Sequence, residues 1–280
     1  MRWEGDHGDT GDVHRAVPMR NLPLIVAGDL VRCEATADGT LRAVELLERR
    51  SVLARPDHRG HPKPLAANLT HLAVVTADPP GIDTLLIDEF CVGALRAGID
   101  VLVVVNKADL LDAAARDEAL ALLAVYRDVG HPAVLIDART AAGIEPLATE
   151  LAGRTAALVG ASGVGKSSIV QQLLPDLEVR VGAVSAATGL GSHTTSVTHR
   201  YALPGGGAVI DSPGVRRYSV AHAPPADVRA GYREIARLGE GCRYRDCAHV
   251  VEPGCAVRDA LEAGEMAEWR YANYRKLAGL

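Results

Sequence analysis

Gly160-Ala161-Ser162-Gly163-Val164-Gly165-Lys166-Ser167 is the stretch on which the reading of this chain turns. It fits G-x-x-x-x-G-K-[ST], and Ser168 follows it. Glycines let a backbone turn so that successive N–H groups face the oxygens of a phosphate. A helix beginning at such a turn adds unpaired donors and a dipole that favour anions. In this reading Lys166 reaches the β- and γ-phosphates, and the Ser167 hydroxyl ligates Mg²⁺. The flanks agree: Ala156 to Val159 reads as a strand, and Ile169 to Leu174 as an apolar helix. A bare Gly-rich turn would need neither flank.

Upstream, Asn106-Lys107-Ala108-Asp109 follows the Val/Leu run Val101 to Val105 and fits N-K-x-D. A carboxylate at Asp109 accepts from both the ring N–H and the exocyclic amine of guanine, whereas adenine offers no such donor pair. The Lys107 stem would lie along the base. The order is inverted, since nucleotide domains of this kind carry the phosphate loop first. A circular permutation resolves this, because compact domains tolerate relocated termini. Past Ala133 to Ile136 comes Asp137-Ala138-Arg139, where a supporting base loop is expected and the Ala138 amide is the candidate contact.

Downstream, Asp211-Ser212-Pro213-Gly214 fits D-x-x-G, with Asp211 holding Mg²⁺ through water and the Gly214 amide facing the γ-phosphate. Between the two motifs lies Thr188-Gly-Leu-Gly-Ser-His-Thr-Thr-Ser196, Gly- and hydroxyl-rich like a switch loop. Thr194 or Thr195 is the expected further Mg²⁺ ligand. Val215 stands where a water-orienting Gln is found in Ras-like enzymes. His193, beside the Thr pair, is the candidate for that task.

Around these motifs, strand and helix patterns alternate from residue 65: Leu72 to Thr76, Ile82 to Ala97, Val101 to Val105, Ala113 to Asp128, Ala133 to Ile136, Ile144 to Leu151. That alternation predicts a parallel sheet covered on both faces. Residues 1–63 read as a small β unit with strands at Leu24 to Ala27, Leu30 to Cys33 and Leu41 to Leu47, and a Pro/His/Gly linker from Arg55 to Pro64. Residues 64–221 form the nucleotide domain. Residues 222–280 form a helical third part, with helices expected at Ala226 to Leu238 and Ala256 to Leu277 and Arg229, Arg233 and Arg237 on one face.

That third part holds Cys242, Cys247, His249 and Cys255, spaced C-x4-C-x-H-x5-C. Three thiolates and one imidazole at this density suit a closed, structural Zn²⁺ site. Cys33 and Cys91 are expected in the core.

Composition narrows the remaining choices. A net charge of −5 gives no bulk attraction to nucleic acid. No run of eighteen apolar residues is present, so no membrane partner is expected. The mixed-charge N-terminus lacks the pattern of a secretory signal, and five cysteines suit a reducing, cytoplasmic setting. Only four lysines occur among 30 basic residues, and two of them fall in the motifs above.

The motif set resembles the ribosome small-subunit-dependent GTPase family (RsgA, also called YjeQ), over residues 22 to 280. Val26-Ala-Gly-Asp29, Arg55-Pro56-Asp57 and Ala66-Ala-Asn68 are further matches. The resemblance implies an OB-like β domain, a permuted GTPase domain and a zinc-binding domain. It implies GTP and GDP as ligands, binding to the 30S subunit and 16S rRNA, a role in late maturation of that subunit, and GTP hydrolysis stimulated by it. A monomer is expected. The segment before Gly28 is short for a full five-stranded barrel, so the barrel is truncated or rebuilt, or the start lies upstream. Three rivals stand beside this reading. One is a permuted GTPase serving the large subunit, and another is a P-loop kinase or ATPase. The third is a nucleotide-gated binding module with negligible turnover, which Val215 favours.

Overall fold

The computed structural model describes residues 2–5, 8–56, 61–175, 199–211 and 223–280. Its centre is a six-stranded sheet, β8 (His71–Ala77), β9 (Asp100–Asn106), β10 (Ala133–Leu135), β11 (Thr155–Val159), β12 (His199–Ala202) and β13 (Ala208–Asp211). The order is β10-β9-β8-β11-β13-β12, parallel throughout except for β12, which pairs antiparallel to β13 at one edge.

Side chains of a strand alternate between faces, and on the central strands both faces are buried. Leu72, Val74, Val101, Val103, Val105, Ala157, Val159 and Ile210 face α1 (Thr84–Arg96) and α2 (Ala113–Asp128). Ala73, Val75, Leu102, Val104, Leu158 and Val209 face α3 (Ala141–Leu151) and α4 (Lys166–Leu173). Two-sided burial explains why these strands read as unbroken Val/Leu runs. Three helices start on side-chain caps: Asp83 accepts from the Leu86 amide, Asp112 from Ala115 and Thr140 from Gly143. Helix α4 starts on Gly165 at φ +95° with no side-chain cap, which leaves its first amides for another partner.

The elements described in the N-terminal part are all strands: β1 (Arg2–Gly5) with β2 (Gly8–Val13), β3 (Ala16–Pro18) and β4 (Val31–Ala35) on either side of β5 (Leu41–Leu46), and β6 (Val52–Pro56) with β7 (Pro62–Ala67). Among the described residues these make three small sheets rather than one closed barrel. The expected Leu24 to Ala27 strand reduces to one bridge, Ala27 to Ala66. Instead the chain turns at Val26 to Asp29. The Asp29 carboxylate accepts from the Val26 amide at 2.8 Å and pairs bidentately with Arg49 at 2.7 Å. Gly28, at φ +91°, lies so close to the Ala67 carbonyl that a Cβ would sit 2.0 Å from its oxygen. The stretch Arg55 to Pro64 is not a plain linker, because both its ends lie in the β6–β7 hairpin. Proline is tolerated at such a two-stranded edge.

The C-terminal part has α5 (Pro225–Gly231), α6 (Arg233–Gly239), α7 (Ala256–Glu262) and α8 (Glu268–Ala278). Each of the two long helices expected there is broken in two. Tyr232 leaves the helical region at φ −100°, ψ 87°, and Gly264 takes φ +74°. The supposed Arg face is broken too, since Arg233 donates to the Gly130 carbonyl at 2.7 Å. Val228, Tyr232, Ile235, Val257, Met266 and Tyr274 form a core with Val92 of α1. Gly231 permits the close approach, since a Cβ there would lie 2.6 Å from a Val92 methyl. Cys91 is buried in the main core, but Cys33 is only half-buried on β4. No helix of the described residues is long and apolar enough to cross a membrane.

Candidate nucleotide site and metal centre

In a parallel sheet, ligands bind beyond the carboxyl ends of the strands. Three chain segments converge there. Strand β11 runs into residues 160–165, β9 into Lys107-Ala108-Asp109, and β10 into Asp137-Ala138-Arg139. Strand β8 separates β9 from β11, so the two motif-bearing strands stand two strand spacings apart, roughly 10 Å.

The two inverted motifs touch. The Asn106 side-chain amide donates to the Val164 carbonyl at 2.9 Å, and its oxygen accepts from the Ala138 amide at 3.1 Å. One buried side chain therefore ties the phosphate loop to both base-side segments. Gly165 is required for this, because a Cβ there would lie 2.3 Å from the Asn106 nitrogen. Gly160, at φ +133°, packs so tightly on β8 that a Cβ would sit 2.1 Å from the Val75 carbonyl oxygen.

Both motif lysines are tethered. The Lys166 ammonium donates to the Gly160 and Ala161 carbonyls at 2.8 and 2.6 Å, which stretches its stem along the loop. The Lys107 ammonium donates to the Pro79 carbonyl at 2.9 Å, and its backbone takes φ +66°. Asp109 lies on the short turn Ala108–Leu110, and its carboxylate pairs with Arg139 at 2.7 Å. Ser167 and Ser168 fall in the first turn of α4, behind Ala161, Ser162 and Gly163 of the loop. Asp211 ends β13 beside the phosphate-loop strand. His193, Thr194, Thr195 and Gly214 lie outside the described residues.

Sequence reasoning did not find the Asn106–Val164 link, the Pro79 anchor of Lys107 or the Arg139–Asp109 pair. The partners are 58, 28 and 30 residues apart, and two of them are main-chain carbonyls, which leave no mark in a sequence.

The second site is compact. The donor atoms of Cys242, Cys247, His249 and Cys255 all lie within 4.8 Å of one another. The Cys242 and Cys255 sulfurs are each 3.5 Å from His249 Nδ1 and 3.9 Å from each other. A tetrahedron with metal–sulfur bonds of about 2.3 Å has S···S edges of roughly 3.8 Å, so these residues fit a tetrahedral ion. The loop carrying them is braced. Glu252 accepts from the Ala248, Val250 and Val251 amides, and these hydrogen bonds hold its carboxyl down at about 2. The Tyr271 hydroxyl donates to the His249 carbonyl, and His249 itself sits at φ +63°.

Where the C-terminal helices pack on α1 lies a buried ion cluster. Arg270 pairs with Asp88 of α1 and with Glu234 of α6, the latter at 2.7 Å. Asp88 also accepts from Tyr126, Tyr232 and Asn273 at 2.8, 3.1 and 2.8 Å. The Arg270 guanidinium lies 4.5 Å from the Tyr232 ring centre. Burial opposes its charge, yet the two carboxylates raise its pKa well above the ordinary value. Nearby, burial and then the neighbouring arginines push His131 down to about 4.

A doubly covered parallel sheet with N-K-x-D preceding G-x-x-x-x-G-K-S defines a circularly permuted P-loop GTPase. The RsgA GTPase family model matches residues 46–221. Small ribosomal subunit biogenesis GTPase RsgA of Pseudomonas fluorescens Pf-5 is 44% identical over 275 residues, covering 98% of this chain and 80% of the relative. The protein of the same name from Azotobacter vinelandii matches equally well, at 44% identity over 275 residues. Among solved structures, YjeQ from Thermotoga maritima is 30% identical with a TM-score of 0.75, covering 94% of this chain and 88% of that one. YloQ, a circularly permuted GTPase, shares the fold at a TM-score of 0.76 and 23% identity, over 99% of this chain and 88% of its own. The chain belongs to the RsgA GTPase family, and it is a GTPase.

Proposed function

We propose that this protein hydrolyses GTP during late maturation of the small (30S) ribosomal subunit, and that the subunit, through its 16S rRNA, stimulates the reaction. The observation that carries the nucleotide reading is the Asn106 side chain, which joins the phosphate loop to the base-side segments across β8. The relatives named for small-subunit biogenesis, at 44% identity across nearly the whole chain, support the ribosomal part.

In this reading Asp109 takes the guanine donor edge, Lys107 lies along the base, and Asn106, Ala108 and Ala138 shape its seat. The amides of Gly160 to Ser168 and the Lys166 ammonium hold the phosphates. Lys166 leaves the loop carbonyls to offset charge that builds on the β–γ bridge as that bond breaks. The Gly214 amide faces the γ-phosphate. Ser167, Thr195 and Asp211 would hold Mg²⁺, which neutralises charge on the phosphate oxygens. His193 orients the attacking water, in place of the Gln that Val215 cannot supply. Cys242, Cys247, His249 and Cys255 would hold one structural Zn²⁺, which fixes the C-terminal unit and takes no part in the chemistry. The protein acts as a cytoplasmic monomer.

Val215 also favours a second reading, a nucleotide-gated docking module that scarcely turns over. GTP turnover titrated with purified small subunits separates the two. A rise of tenfold or more is expected, and a flat response at every salt concentration would remove the ribosomal assignment.

A further inference from the structure

Asp109 is already engaged in this structure. Arg139 Nη1 donates to Asp109 Oδ2 at 2.7 Å, with the Arg139 side chain 75% exposed and that of Asp109 19% exposed. A guanidinium is a planar carbon bearing N–H donors, and guanine offers the same N–C–N donor unit along its N1–C2–N2 edge. The two groups ask for the same acceptor. We propose that Arg139 is a built-in competitor for the guanine seat, a side chain that must leave Asp109 before GDP or GTP can pair with it. This rests on the guanine-site reading above and adds a residue that sets its affinity.

The surroundings confine the movement to one side chain. The Arg139 amide is held by the Asp137 carboxylate at 2.9 Å, and the Ala138 amide by Asn106. The Asp137 amide donates to the Gly143 carbonyl at 3.1 Å, and Gly143 is packed so closely that a Cβ would lie 2.4 Å from the Asp137 carbonyl oxygen. The backbone around Arg139 is thus pinned, while its guanidinium stands in solvent. An exposed pair of this kind is weak and screened by salt. It lowers nucleotide affinity by a modest factor and does not block the site.

The competition has a signature that a structural role lacks. It acts on guanine nucleotides and not on adenine ones, whose base presents no matching donor pair. It also fades as salt rises. The experiment compares GDP and ADP binding, with association rates, for the native protein, Arg139→Gln, Arg139→Lys and Asp109→Ala at low and high salt. For Arg139→Gln, GDP binds on the order of two- to five-fold tighter at low salt, with faster association, and the gap closes at high salt. Arg139→Lys falls between, because it keeps the charge and loses the fork. ADP binding does not change. Unchanged or weaker GDP binding by Arg139→Gln at low salt, with Asp109→Ala still impaired, overturns the competitor and leaves the site reading standing. If Asp109→Ala binds GDP as tightly as the native protein, the guanine seat itself is wrong, and the competitor goes with it.

Discussion

Two arginine–carboxylate pairs in this molecule have similar chemistry and opposite surroundings. Arg139 and Asp109 meet in the candidate nucleotide site, with Arg139 largely in water. Arg270 and Asp88 meet where the C-terminal helices pack on α1, with side chains 1% and 0% exposed. Water around the first makes its rupture cheap, which suits a contact that gives way to a ligand. Three further donors and a second carboxylate around the second leave no tolerable state with one partner gone. The position of each pair therefore says what it is for: one is exchangeable, the other fastens two units of the chain together.

Breaking the buried pair should give the largest effect. Arg270→Met strands Asp88 and Glu234 without their cation and should lower unfolding stability by about 3–5 kcal/mol, read from urea denaturation followed by circular dichroism. A loss below about 1 kcal/mol would mean that the cluster is no fastener. The metal centre of the same unit comes next. Chelation of the purified protein should unfold α7 and α8, seen as lost helical signal, while GDP binding at the sheet is largely kept. Retention of the full helical signal after metal removal would separate the Cys/His cluster from the fold.

His131 sharpens the contrast by a smaller amount. Its pKa falls from an ordinary 6.5 to about 4 on folding, so between those values the unfolded chain binds a proton that the folded one refuses. Stability should fall as pH drops from about 6.5 toward 4, by on the order of 3 kcal/mol. His131→Leu should flatten that stretch of the profile, and equal slopes in the two proteins would rule the effect out. The smallest effect belongs to Arg139→Gln, whose denaturation midpoint should match that of the native protein. A clear shift would mean that the exposed pair also bears structural weight.

The sheet and the two motif-bearing segments of the candidate site were legible because they are written locally. Val101 to Val105 is apolar because both faces of β9 are covered, and Gly160 to Ser167 is Gly-rich because its backbone must turn against β8. The Cys242 to Cys255 spacing was legible for the same reason. The Arg270–Asp88 pair was not, because its members stand 182 residues apart and each looks like a surface charge. The breaks at Tyr232 and Gly264 were missed because helical periodicity persists across them. The β6–β7 hairpin hid behind Pro, His and Gly, residues that mark a loop more often than an edge strand.

Strand β8 carries no nucleotide motif, yet it sets the gauge of the site. It lies between the strand that ends at Asn106 and the strand that ends at Val159, and the main chain at Val75 touches Gly160. The width of a peptide ribbon cannot be altered by exchanging side chains. The span between the two motif-bearing segments is thus fixed by covalent dimensions, and substitutions can change only what projects from each end.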